Sequence, residues 1–126
     1  MKTHKDLEVW KLSMTLVKDV YHLTCNFPKT EIFGLTSQIR RAAVSVPANI
    51  TEGSARMSSK ELRYFLRISF ASLAELETLI TLSRDLEFLS IQDYNILHPK
   101  IKMITCQLSS LIRSINDKIQ QNETKD

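Results

Sequence analysis

Only two glycines and three prolines occur among the 126 residues of this chain. These are the residue types that let a backbone reverse sharply, and sheet proteins need them every few residues. A bundle of long helices needs only a handful of turns. The scarcity therefore predicts an all-α protein, an up-down-up-down antiparallel four-helix bundle. A chain of 126 residues fits a single domain spanning residues 1–126. It is also long enough to bury a core without disulfides or metals. The opening stretch MKTHKDLEVW has no uninterrupted apolar run, so no secretory signal is expected. No window resembles a membrane span. The expected location is cytoplasmic, with no membrane partner. Cys25 and Cys106 lack C-x-x-C or His-rich surroundings and read as two buried thiols of a reducing compartment.

Apolar periodicity places four helices at about 5–26, 31–52, 59–88 and 91–119. In the first, Leu7, Trp10, Met14, Val17 and Tyr21 form one row, and Val9, Leu16, Val20, Leu23 and Phe27 form another. Together they span roughly 200° of helix surface. That is about twice the stripe needed for a two-layer contact. The expectation is that one side of this helix meets the bundle core and the other meets another subunit, through Val9, Trp10, Leu16, Val20 and Leu23. Pro28 ends the helix, and Thr30 suits the N-cap of the second. Pro47 lies inside the second helix and predicts a kink, because its ring clashes with the Ala43 carbonyl. Ser45 or Asn49 can satisfy the freed carbonyl, and Gly53 suits the C′ position that ends the helix.

Ser58 and Glu61 form a capping box for the third helix. Its inner stripe runs from Leu62 through Leu66, Ser69, Leu73, Leu76 and Ile80 to Leu86. Ser69, Ala71, Ser72 and Ala74 are small, which predicts close approach of a neighbouring helix at mid-height. The fourth helix starts near Ser90 and carries Tyr94, Leu97, Ile101, Ile104, Leu108, Leu111 and Ile115, alternating steps of three and four as in a bundle seam. Pro99 predicts either a kink near its start or a separate turn before it, and Gln120 to Asp126 read as frayed.

The run from Gln38 to Gly53, Gln-Ile-Arg-Arg-Ala-Ala-Val-Ser-Val-Pro-Ala-Asn-Ile-Thr-Glu-Gly, resembles the signature of the four-helix-bundle proteins named after the 23S rRNA intervening sequence. Leu7-Glu8-Val9-Trp10 is similar to that family's opening. Phe27-Pro28-Lys29-Thr30-Glu31 with Gly34-Leu35 resembles its first loop, and Ser72-Leu73-Ala74-Glu75-Leu76 its third-helix motif. Ala71 stands where the family usually has glycine. The resemblance covers residues 4 to about 115. It implies a four-helix bundle that forms homopentamers, and a relation to accessory proteins of diversity-generating retroelements that bind nucleic acid and a reverse transcriptase. It leaves the activity open.

Catalytic chemistry finds no foothold in the pattern. His4, His22 and His98 are scattered, and none pairs with Cys, Asp or Glu at triad or ligand spacing. There is no phosphate-binding glycine loop and no nucleophile elbow. Glu75 and Glu77 sit two apart, on different helix faces. The expectation is a non-enzyme with no catalytic residues, metal, cofactor or small-molecule substrate. The strongest functional feature is basic. Arg40, Arg41, Arg56, Lys60, Arg63 and Arg67 face only Glu52 and Glu61 in the same window, so this stretch is more positive than the whole chain, whose net charge is +3. Guanidinium forks suit phosphate oxygens, and each neutralised phosphate releases counterions. The reading is a self-assembling module that binds RNA or DNA, structured RNA above all, through these six side chains. The alternative is a protein-interaction scaffold in which the same side chains form salt bridges.

Overall fold

The computed structural model describes His4 and residues 7–124. Among these residues the fold consists of α1 (Glu8–Thr24), α2 (Leu35–Ser54), α3 (Ser59–Asp85) and α4 (Ile91–Thr124), with a 3-10 turn at Lys29–Glu31. Each helix packs on the next, and α4 returns to α1. Side-chain pairs give the directions. Trp10 bonds Thr51, and Thr24 bonds Arg40. Ser45 bonds Ser72, while Gly53 touches Leu62 and Phe65. Arg63 bonds Asn116, and Glu77 bonds Lys102. Along every pair one number rises as the other falls, so consecutive helices run antiparallel and the bundle is up-down-up-down.

The core lies along the common axis. Leu16 and Val20 of α1, Ile39, Val46 and Ile50 of α2, Leu66, Leu73 and Leu76 of α3, and Leu97, Ile101, Ile104 and Leu108 of α4 are essentially inaccessible to solvent. The steps of three and four in α4 therefore do mark its buried seam. Helix one departs from expectation. Val9, Leu16 and Val20, assigned from the sequence to a contact between subunits, are buried within the chain at 4%, 0% and 0% exposure. The wide apolar arc is covered because α1 is flanked by α2 on one side and α4 on the other. Two neighbours, not a second subunit, account for its width. Trp10 and Leu23 are half-buried against the same core. Trp10 also donates its Nε1–H to Thr51 Oγ1 at 3.1 Å.

Helix ends follow local chemistry, with some corrections. Lys5 and Asp6, at the expected start of helix one, lie outside the described residues, as do Lys125 and Asp126. Thr30 does not cap α2. It sits in the 3-10 turn, and Gly34 takes the N-cap position, with Glu31 Oε1 accepting from the Leu35 amide at 3.3 Å. Ser58 Oγ accepts from the Glu61 amide, and Ser90 Oγ from the Asp93 amide, as the N-cap residues do in such motifs. Helix α3 stops at Asp85 because Glu87 turns left-handed with φ 65°. The Phe88 amide then reaches back to the Ser83 carbonyl and the Glu87 amide to that of Arg84, a Schellman closure built without glycine. At the other extreme α4 stays helical through Thr124, with Ile119 buried at 5% exposure, so most of the stretch expected to fray is held.

Gly53 is the clearest revision. It does not end α2: the helix runs on through Ser54, and no glycine among the described residues has positive φ. A Cβ at this position would lie 2.9 Å from the Phe65 Cβ and 3.2 Å from the Leu62 carbonyl oxygen. The residue is needed because α3 passes so close. Higher up, Ser69 donates to the Val46 carbonyl at 2.9 Å, and Ser45 and Ser72 share a hydrogen bond of 2.8 Å. Of the small residues expected to admit a neighbour, Ser69 and Ser72 face α2, whereas Ala71 and Ala74 point outward. Pro47 is buried inside a continuous α2. The carbonyls near it that receive side-chain donors are those of Ser45, from Asn49 Nδ2, and Val46, from Ser69, rather than that of Ala43. Pro99 likewise stands inside a continuous α4.

Polar bonds tie α4 to its neighbours at the surface. Glu77 Oε2 lies 2.8 Å from Lys102 Nζ and 3.4 Å from His98 Nε2. The hydrogen bond from Lys102 holds the Glu77 carboxyl below its ordinary value, against the opposing effect of partial desolvation, and the same bond raises Lys102. Tyr94 stacks on His98, and Arg84 covers the Tyr94 ring at 4.4 Å. Lys100 pairs with Asp19 of α1 at 2.5 Å. Both cysteines are exposed, contrary to the expectation of two buried thiols. Cys25 falls at the end of α1, and Cys106 on a solvent-facing position of α4, where no helix covers them.

Candidate nucleic-acid interface

Helix α2 uses Ile39, Ala42, Ala43, Val46 and Ile50 for the core, which turns Gln38, Arg41 and Ser45 toward the edge it shares with α3. On α3 the core residues leave Tyr64, Arg67, Ile68, Ala71 and Glu75 along the outer side, at steps of three and four. An open surface trough in two adjoining halves runs from the α2–α3 edge onto the outer face of α3. One half is polar, about 480 Å³, and is lined by Gln38, Arg41, Ala42, Ser45, Ser72 and Glu75. The other half is mostly apolar, about 450 Å³, with Tyr64, Arg67, Ile68 and Ala71 as its walls. Ser72 and Glu75 border both halves, so the two adjoin; α2 lines only the polar half, and the apolar half is lined by α3 alone. The floor of the polar half is internally satisfied: Ser72 bonds Ser45, and Asn49 Nδ2 donates to the Ser45 hydroxyl at 2.9 Å.

The six basic side chains do not share one surface. Arg40 turns to α1, where its Nε donates to Thr24 Oγ1 and its guanidinium covers the Tyr21 ring at 4.6 Å. Arg56 pairs with Glu52 at 2.7 Å and lies over Phe65. Lys60 pairs with Glu123 at 3.1 Å, near the far end of α4. Arg63 donates to Asn116 Oδ1 across the α3–α4 groove. Helical spacing on α3 brought Lys60, Arg63 and Arg67 near one side, but α4 engages the first two. Arg41 and Arg67 remain. Both are exposed, and neither makes an ion pair or side-chain hydrogen bond among the described residues. Arg41 borders the polar half on α2, and Arg67 borders the apolar half on α3. Arg67 also borders a smaller depression with Phe70, Ser109 and Ile112, so it stands on the crest between two grooves.

Sequence reasoning named Arg41 and Arg67 but not Gln38 or Glu75 as their companions. Glu75 and Glu77 separate as expected: the first faces the trough, the second faces α4. Among the described residues no three His, Cys, Asp or Glu side chains gather as a metal site. No helix is long and apolar enough to cross a membrane, among the same residues.

The model of the 23S rRNA-intervening sequence proteins matches this chain over residues 5–110. The chain belongs to that family. The match takes in α1, α2, α3 and most of α4, and thus both halves of the trough. It stops short of Asn116 and Glu123, the partners of Arg63 and Lys60, so these two bonds involve a part of α4 beyond the matched region of the 23S rRNA-intervening sequence protein. No curated protein matches the chain.

Proposed function

We propose that this chain is a non-enzymatic, self-assembling helical module that binds nucleic acid through a basic surface. The observation that supports it best is the pair Arg41 and Arg67. These are two exposed guanidinium groups without an acidic partner among the described residues, one beside each half of the trough. Phosphate binding favours cations with free donors. Arg56 and Lys60 are paired with carboxylates. Arg40 and Arg63 keep their charge but spend donors on Thr24 and Asn116, which leaves Arg41 and Arg67 without a side-chain bond among the described residues. Arg40, Arg56, Lys60 and Arg63 belong to the alternative, a protein-interaction scaffold, because their bonds are spent inside the chain.

A titration of the full chain with structured RNA, single-stranded RNA and duplex DNA over a range of salt tests the reading. Binding is expected to weaken steeply as salt rises. The Arg41→Glu/Arg67→Glu double variant is expected to bind about tenfold more weakly for every sequence, since phosphate contacts position a ligand without reading its bases. Both side chains are exposed, so the fold should lose no more than about 0.5 kcal/mol. Arg63 is unsuited to such a test because its loss would also remove a bond between α3 and α4. A wild type that binds none of the three ligands at low salt refutes nucleic-acid binding and leaves the scaffold.

Self-assembly, as a pentamer by family resemblance, needs a different surface from the one expected on helix one. Exposed apolar side chains gather at the end of the bundle where the two upper connections meet, with Phe27 against Phe88 at 6.1 Å. There Phe33 is 95% exposed, Ile91 67% and Ile32 54%, with Leu86 beside them at 50%. Exposed apolar side chains collected at one end of a bundle are the kind of surface that marks interaction sites. Light scattering at micromolar concentration is expected to give a multiple of the chain mass, and Phe33→Ser/Ile91→Ser to lower it. A monomer mass for the wild type ends the self-assembly reading.

A further inference from the structure

Resting on the nucleic-acid reading, we infer that the α2–α3 trough is a seat for an unpaired nucleotide, so that the preferred ligand is single-stranded rather than duplex. The two halves of the trough differ in the way the two parts of a nucleotide differ. The apolar half offers Tyr64, 61% exposed, together with Ile68 and Ala71, a platform for the flat face of a base. Phe65 meets the Tyr64 ring at 85° and 5.1 Å, an edge-to-face contact that steadies it. Arg41, beside the polar half, and Arg67, beside the apolar half, are the cations available to phosphates flanking that base.

The polar half adds groups able to read a base edge. Gln38 carries both a donor and an acceptor, and Glu75 accepts only. Neither uses its side chain in a hydrogen bond among the described residues, whereas the serines and Asn49 below them are already paired. The unsatisfied polar tips thus lie above a closed floor, and this favours a ligand bound from solvent.

The shape argues against two other occupants. Small-molecule sites enclose most of their ligand. This trough is open along its length and suits a strand held by successive contacts. A duplex keeps its bases stacked inside and presents phosphates, so Tyr64, Ile68 and Ala71 would stay idle against it.

The test is fluorescence anisotropy at low salt with the full chain and two labelled probes: a 12-nucleotide mixed-sequence single-stranded RNA and a 12-base-pair RNA duplex. Wild type is expected to bind the single strand more tightly. Tyr64→Ala is expected to weaken the single strand about tenfold and leave the duplex unchanged, and Tyr64→Phe to restore binding, because stacking needs the ring and not the hydroxyl. Equal wild-type affinity for the two probes overturns the inference while nucleic-acid binding stands. So does a Tyr64→Ala variant that binds the single strand as wild type does. Binding of neither probe also overturns it, and the titration with structured RNA and duplex DNA then decides the nucleic-acid reading. A fall in the mass of the assembly on Tyr64→Ala would show that a second copy fills the trough, and would also overturn the inference.

Discussion

Truncating Leu73 to alanine is expected to destabilise the fold by about 2–5 kcal/mol. Leu73 sits in α3 with 0% exposure, among the inward side chains of all four helices. Removing its branched end forfeits the transfer free energy of three carbons and leaves a cavity that rigid helices cannot collapse around. Domains of this size are stable by only about 5–15 kcal/mol, so the loss is a large share of the total. Urea unfolding followed by circular dichroism measures it, with protein concentration held fixed because assembly would make the midpoint depend on it. A shift under about 1 kcal/mol would mean that Leu73 is not at a packed position. Leu82, on the same helix but 44% exposed, is the control, and Leu82→Ala should cost within about 0.5 kcal/mol.

Gly53→Ala should lower stability, against the rule for its secondary structure. Inside a helix, glycine is about 1 kcal/mol less favourable than alanine, so propensity by itself predicts a gain. The first added carbon, however, would meet the Phe65 Cβ at 2.9 Å and Leu62 Cδ1 at 3.1 Å. The Phe65 Cβ is fixed to the backbone of α3 and cannot swing aside, so the two helices must part. Overpacking of this kind costs about 1–3 kcal/mol and outweighs the propensity term. Gly53→Leu adds three more carbons and is expected to lose about 3 kcal/mol or more. Thermal unfolding of the pair decides the matter: a higher midpoint for Gly53→Ala would show that α2 and α3 separate freely.

The two glycines show how far local pattern reaches. Gly34 lay inside the helix expected from residue 31, whereas it stands at the N-cap of an α2 that begins at Leu35. Gly53 looked like a helix terminator because glycine so often is one. Its actual reason lies on another helix, 9 to 12 residues further on, at Leu62 and Phe65. The end of α3 shows the converse. Nothing in the residue type of Glu87 announces a left-handed turn, yet the closure from Phe88 to Ser83 requires one there.

The basic cluster divides in the same way. Its presence on α2 and α3 was legible as composition and spacing. Which members stay available was not, because that depends on Asn116 and Glu123 arriving from the far end of α4.

The sequence by itself determined the helical class, the number of helices, the buried seam of α4 and the caps at Ser58 and Ser90, since few turns, a 3.6-residue period and local hydrogen bonds act within one segment. The tertiary structure alone decided which faces meet. It placed α2 and α4 over the broad face of α1, so that Val9, Leu16 and Val20 entered the core, and it left Arg41 and Arg67 on the walls of a trough. Periodicity says that residues share a face. What covers that face depends on segments distant in the chain, and no local pattern encodes it.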